Sequence, residues 1–421
     1  GRNWFQTSQP EIAFYDDATN SKDMLFLFWA DRFSEYKRVD STGPTFRGVN
    51  GASGVFKHVE GDPDTYTLTD QHGNELVFIG FDTEAYGAAG QLWKITDPAG
   101  NVAYVGDSAS PSAAIDQAGG YTKGYDSSGR MKTAYDSADR RFSYTYTTLD
   151  SVVRLTQVTA ETKTGGTWAS PSGVATVMTV DYGYYGDEAN GDPGDLKHVT
   201  LTTPLTDSGV SLAEKKYYRY YEGAWTNAAG DRGHAHMLKY ALDFEGVRRF
   251  DWQDSTFDDD HLVASDAALE PYATVFFEYG ETSYKITKAW FNGECGCSGG
   301  SNGTYQLEYE TNGSFSDTAN VYDSGWKTRT VVQRPDTSYL TQYWDEIGQP
   351  LSQVLTDADP DNTSPVPSKW VTRVERDSSG SVTKIATPAN CTGYTHSSGA
   401  ITASTSAGLI WEFTRSASGA M

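Results

Sequence analysis

A chain of 421 residues with 56 acidic against 33 basic side chains, spread along its length, carries a formal charge of −23. Such a field repels phosphate backbones, which excludes nucleic acid as a partner, and no window approaches the roughly eighteen apolar residues of a helical membrane span. Hydrophobic residues make up only 38%, low for a globular enzyme, while 27 Tyr and 42 Gly suit turn-rich β-structure.

The chain begins at Gly1 with no initiator Met and no signal-peptide apolar stretch, and it reads as a processed or partial segment. Residues 1–65 read as an N-terminal β leader, in which the longest apolar run, Met24 to Ala30, suits one buried strand. From Tyr66 onward a turn signature, Asp-x-x-Gly, returns between strand-like runs: at Asp70, Asp97, Asp126, Asp243, Asp345 and Asp377, each with Gly three positions later. An Asp in the first turn position accepts backbone N–H groups, and the Gly supplies the positive φ that sends the chain back antiparallel. The turns at Asp70, Asp97 and Asp126 are 27 and 29 residues apart, and Asp345 to Asp377 is 32, the spacing of a repeat array whose units bury their apolar faces on one another. Residues 66–388 form this hairpin region, with weak or decorated repeats over 140–240, and residues 389–421 continue it or dock on it. Runs such as Phe142 to Thr147, Val152 to Val158 and Thr328 to Gln333 alternate as strands do, and no stretch holds helical spacing over three turns. The expected fold is all-β, an elongated array of antiparallel hairpins with almost no helix.

Tyr125-Asp126-Ser127-Ser128-Gly129-Arg130-Met131 resembles the YD-repeat motif, Tyr-Asp-x-x-Gly-Arg followed by an aliphatic residue, at every defined position. Degenerate copies follow at Trp344-Asp345 with Gly348, Tyr322-Asp323 with Gly325, Tyr135-Asp136 with Asp139-Arg140, and Asp377 with Gly380. Read physically, Tyr125 covers the hairpin, Asp126 and Gly129 make the bend, and Arg130 lays its guanidinium across the aromatic ring. Resemblance to the YD-repeat (RHS) family implies a secreted or surface β-protein, whose members form spiralling shells around a toxin or act in adhesion. The chain is short for a closed shell and lacks the family's autoproteolytic segment.

Candidate chemistry is sparse. Asp357, Asp359 and Asp361 place carboxylates at alternate positions, the start of a calcium loop, although Ser368 stands where the twelfth-position Glu belongs; the other reading is an acidic surface loop. Asp187, Asn190, Asp192 and Asp195 form a weaker cluster. His234-Ala235-His236 would put two imidazoles on one strand face, against the simpler reading of a polar edge or loop. Asp258-Asp259-Asp260-His261 reads as a solvated loop. Cys295, Cys297 and Cys391 are an odd set, and a disulfide from Cys295 or Cys297 to Cys391 or to another chain is favoured over a metal site. Sequons at Asn302, Asn312, Asn362 and Asn390 lean toward export. No nucleophile elbow, zinc-protease helix, Walker loop or dinucleotide fingerprint occurs.

These features together point to a non-enzymatic extracellular or cell-surface structural protein, with copies of itself or other parts of a longer chain as partners. Hydrophobic residues near both ends, Met24 to Ala30 and Leu409 to Phe413, favour head-to-tail assembly into a fibre. The alternatives are a carbohydrate-binding adhesin or, as the resemblance implies, a wall segment of a toxin-enclosing RHS shell and, further off, a polysaccharide-active enzyme.

Overall fold

The computed structural model describes residues 10–414 apart from 16–22, 30–32, 40–42, 50–51, 53, 62–63, 71, 82–88, 107–114, 117–120, 123, 127, 205–210, 224, 226–231, 254–259, 292–302, 316–324, 347, 363–365, 378–381 and 405–407. Among the described residues, 31 strands take part in antiparallel pairing, 25 of them in one sheet and the rest in three two-stranded hairpins, and no helix is long and apolar enough to cross a membrane. The chain divides into two units, 1–188 with 193–216, and 189–192 with 217–421.

In the first unit the strands Glu11–Tyr15, Met24–Phe28, Phe33–Arg38, Thr45–Gly48, Val55–Val59, Thr65–Thr69, Glu75–Ile79, Leu92–Thr96 and Val102–Val105 pair each with the next. The early strands roll up, because Glu11 bridges Gln91 and the Ile12 N–H donates to the Gly90 carbonyl at 2.8 Å. A Cβ on Gly90 would stand 2.1 Å from the Ile12 carbonyl oxygen, so only glycine permits this closure. Alternation along each strand sends one side inward, where Leu25, Leu27, Tyr36, Phe46, Phe56, Tyr66, Leu68, Leu76 and Phe78 make one core. Phe56 sits at its centre, edge-on to Tyr36 at 4.8 Å and 5.7 Å from Phe78. The apolar run at Met24 is a strand as expected, but only alternate residues are buried: Leu25 and Leu27 face in, while Phe28 is 37% exposed. The sheet continues from Val102–Val105 through Thr133–Asp136, Arg141–Leu149, Val152–Thr162, Ala175–Tyr184 and Leu196–Pro204.

In the second unit, the end of the strand Ser211–Tyr220 pairs with Leu238–Leu242. The ladder then runs through Val275–Tyr279, Ile286–Phe291, Thr304–Thr311, Thr328–Gln333, Tyr339–Trp344, Pro350–Thr356, Lys369–Arg376, Val382–Ala386 and Ile410–Glu412. Two additions interrupt it. One is a small hairpin, Cys391–Thr395 with Ala400–Ala403, packed on Tyr343, Val354 and Val371. The other is helical, α1 (Phe244–Gln253) and α2 (Asp266–Leu269).

The helical insert corrects the reading of Asp243 to Gly246 as a hairpin. Asp243 caps α1 instead: its carboxylate accepts the Gly246 N–H at 2.8 Å, and its carbonyl accepts the Val247 N–H. Asp followed by Gly satisfies the free N–H groups of a helix start as well as those of a turn, so the four residues alone do not separate the two. Arg219, 1% exposed, fastens the insert, donating to Asp266 at 2.8 Å and to the carbonyls of His261 and Ala264. His261, expected in a solvated loop, is fully buried and bonded to Asp251.

Candidate functional site

The repeated turn is one structure built several times. At Asp70, Asp97, Asp126, Asp136 and Asp345 the fourth residue donates its N–H to the first residue's carbonyl, and the first donates to the fifth. The fourth residue has φ of 82°, 86°, 73°, 58° and 77° respectively, Asp139 replacing Gly in one copy. A left-handed fourth residue between these two hydrogen bonds makes the three-residue hairpin loop. The carboxylate closes it: Asp126 Oδ1 accepts the N–H groups of Ser128 and Arg130, while Oδ2 accepts Arg130 Nε at 2.6 Å. Asn74, Asn101 and Arg140 donate to Asp70, Asp97 and Asp136 in the same way. Burial pushes the Asp126 carboxyl up, but the N–H groups of Arg130 and Ser128 and the Arg130 guanidinium outweigh it, and its pKa lies below the ordinary value.

Around this turn Tyr125 is fully buried among Ile79, Trp93, Val105 and Met131, its hydroxyl donating to the Leu92 carbonyl at 2.6 Å. Arg130 does not lie across Tyr125. The Asp126 carboxylate draws it back over its own loop, where it sits 5.6 Å from the Tyr146 ring. Gly348 closes the Asp345 turn; Asp377 lies where the strands Lys369–Arg376 and Val382–Ala386 turn back on each other, and Gly380 falls outside the described residues, as do Tyr322 and Asp323. A further copy was hidden in the sequence. Arg334 to Ser338 has the same backbone, with Thr337 at φ 67° and Asp336 accepting the Ser338 N–H, so neither Asp nor Gly holds its usual place.

The second unit holds a polar cavity of ≈ 240 Å³, bounded by the strands Thr304–Thr311, Thr328–Gln333 and Tyr339–Trp344, the loop at Asp359 to Asp361, and His396. Glu308 and Glu310 reach it from one strand face, since they are two apart, and Gln306 precedes them on the same face. Arg329, 9% exposed, joins Glu310 at 2.5 Å and donates to the His396 carbonyl. Tyr343 also donates to that carbonyl, and the Tyr394 hydroxyl holds His396 Nδ1 at 2.7 Å, so the turn of the small hairpin is fixed as one wall. Burial first, then the Arg329 charge, keeps the His396 pKa below its usual value, leaving a neutral ring. A larger cavity of ≈ 540 Å³, between Trp326, Tyr343 and Arg373, has charges turned on each other: Arg373 toward Glu375 and Arg376 toward Asp345.

Of the proposed calcium loop, Asp357 Oδ1 accepts the Ser368 N–H and Asp359 Oδ1 accepts the Asp361 N–H, so two carboxylates close the loop on itself. Asp359 and Asp361 line the polar cavity and Asp357 does not. Cys391 is a half-buried free thiol whose pKa burial raises; Cys295 and Cys297 lie outside the described residues. The His234 to His236 segment is a turn, with His236 at φ 68° and His234 stacked on Tyr284 at 4.3 Å. In the remaining acidic cluster, Asp187 is exposed, the Asn190 N–H donates to Glu222, and Asp195 is fully buried. Among the sequons, Asn362 is exposed, but Asn390 is fully buried with its amide donating to Ser404, which closes it to glycosylation. Sequence reasoning missed Arg329, His396, Glu308 and Glu310. The alternating Gln306, Glu308 and Glu310 were the one available signal.

No family model matches the chain, and no curated protein matches it. Among solved structures it is similar to a porin-like protein from Bacteroides uniformis ATCC 8492, at 11% identity over 87% of this chain and 93% of that one, TM-score 0.20. It is also similar to TcdB2-TccC3 without its hypervariable C-terminal region, at 12% identity over 91% of this chain and 20% of that one, TM-score 0.24. A third is the Photorhabdus luminescens Tc holotoxin pore, at 10% identity over 95% and 24%, TM-score 0.16. At these TM-scores none of the three bears on what the chain does.

Proposed function

We propose that this chain is a non-enzymatic structural protein of the cell surface or the extracellular space, a β-walled segment that assembles with copies of itself or with other parts of a longer chain. The observation that supports this reading is the repeated Asp hairpin. Its carboxylates, the groups acid–base chemistry would draw on first, are held by backbone N–H groups and by Asn or Arg partners inside the turns. They join strands of an antiparallel ladder that buries its apolar side chains on neighbouring strands, which is the construction of a wall. Head-to-tail assembly into a fibre is favoured over a closed shell.

Electron microscopy of the purified chain, with light scattering across a concentration series, tests the reading. Fibres or wall fragments that lengthen with concentration are the expected result. A monomer that persists across the whole series, with measurable hydrolysis of a polysaccharide, would sink it.

A further inference from the structure

The ladder of the second unit ends on an open strand. Among the described residues, each strand from Leu238–Leu242 to Val382–Ala386 pairs along both of its edges, while Ile410–Glu412 pairs along one, with Val382–Ala386. The hydrogen bonds fix which backbone groups are left over. The Leu409 carbonyl accepts the Thr387 N–H at 3.2 Å and the Phe413 N–H donates to the Thr383 carbonyl at 2.9 Å, so by the alternation of an antiparallel ladder Leu409, Trp411 and Phe413 turn their backbone groups toward that neighbour. Ile410 and Glu412 turn theirs away from it. An edge of this kind accepts another strand unless a Lys, a Pro or a bulge blocks it. Neither residue occurs between Leu409 and Phe413, and the register with Val382–Ala386 is unbroken.

The side chains say what fits there. Leu409, 52% exposed, Trp411, 50% exposed, and Phe413 share one face, with Ile385 directly beside Trp411. Glu412, on the other face, is paired with Lys384 at 3.2 Å, so the one charge on the strand is balanced in a chain that otherwise repels its copies. Read backwards, Leu-Ile-Trp-Glu-Phe complements itself. Set antiparallel about Trp411, Ile410 of one copy falls opposite Glu412 of the other, and these are the residues whose outward N–H and C=O groups then pair. Trp411 opposes Trp411 and Leu409 opposes Phe413, apolar against apolar, while a register centred on Glu412 would set two carboxylates face to face. Other occupants match less well. Residues 415–421, Arg-Ser-Ala-Ser-Gly-Ala-Met, carry one large apolar side chain and no strand alternation. The outer edge of the first strand is already engaged, where Glu11 bridges Gln91 and Ile12 bonds to Gly90.

We propose that Ile410–Glu412 is a docking edge for a second copy of this chain, the two strands pairing antiparallel about a two-fold axis at Trp411. The proposal rests on the reading that the chain assembles with copies of itself, and it names a contact that joins them in pairs, so that a fibre grows only through a further, different surface. Sedimentation velocity of the full chain over a concentration series tests it, at about 0.15 M salt where repulsion between copies is screened. A reversible pair is expected. Trp411→Lys and Ile410→Pro should each raise the concentration of half-association by about tenfold or more. Proline at 410 removes an outward N–H and leaves the bonds to Val382–Ala386 in place. Trp370→Lys, at a tryptophan 48% exposed on the strand Lys369–Arg376, should leave association unchanged, and circular dichroism verifies that each variant folds. By hydrogen exchange, the Ile410 and Glu412 amides should exchange fast in dilute solution and slow as the pair forms. Protection of those amides already in the dilute monomer would mean that the chain's own residues cover the edge, and would overturn the proposal. Assembly untouched by both edge variants would overturn this contact and leave the assembly reading standing. A monomer at every concentration would also overturn the contact, the wider reading falling with it only where polysaccharide hydrolysis is measured as well.

Discussion

Asp126 binds three donors with two oxygens, and that economy explains why an Asp, rather than an Asn or Ser, opens most of these hairpins. The carboxyls of Asp70, Asp97, Asp126 and Asp136 all lie below their ordinary pKa; for Asp97 the Asn101 side chain is the leading cause, and for the others burial is outweighed by hydrogen bonds. A folded-state pKa below the unfolded one contributes stability that is complete above the unfolded value and is lost as pH falls through the folded one. The melting temperature should therefore drop from about pH 4 downward, the ordinary carboxylate range, and Asp126→Asn should flatten that dependence. A pH series of thermal melts on both proteins measures it. The Gly348 turn separates backbone strain from crowding, since φ is 77° and an added Cβ would meet nothing within 4 Å. Gly348→Ala should cost about 1–2 kcal/mol by denaturant titration, all of it from the left-handed conformation. At Cys391, burial holds the thiol protonated, so alkylation at mildly alkaline pH should be slower in the folded protein than in urea, as mass mapping of that peptide would show.

Elements are joined in this molecule by polar latches laid over apolar faces. Arg219 alone reaches three groups of the helical insert, so Arg219→Met should leave Asp266 and two carbonyls short of a donor, at a cost of about 3 kcal/mol. Hydrogen exchange would place the loss, with the amides of α1 opening before those of the strand Val275–Tyr279. Phe56→Ala tests the rolled core of the first unit, where a buried aromatic at the centre should cost about 3–5 kcal/mol by the same denaturant titration. The hairpins on either side of Asp70, Asp97 and Asp126 were legible, because alternation and turn chemistry are local. The insert was not: Asp243 to Gly246 carries the same letters, and the choice of helix depended on Arg219 and Thr274, whose hydroxyl meets the Asp243 N–H from 31 residues away.

For the molecule as a whole, the charge of −23 opposes folding and assembly alike, so raising ionic strength from about 0.01 to about 0.15 M should raise the melting temperature. Calcium in place of sodium at matched ionic strength reads the Asp357, Asp359 and Asp361 loop, where a chelator-reversible rise would mark a bound cation. The sequence by itself determined the all-β class, the strand alternation and the Asp hairpins, since each depends on residues within a few positions of one another. Tertiary structure decided the rest. It rolled the early strands until Glu11 met Gln91, sent Arg130 to Asp126 and Tyr146 instead of Tyr125, buried Asn390 and His261, and gathered Glu308, Arg329, Asp361 and His396 around one cavity. Those outcomes join residues far apart along the chain, and which of them meet depends on how many strands separate them and how the sheet curls, quantities that no local pattern carries.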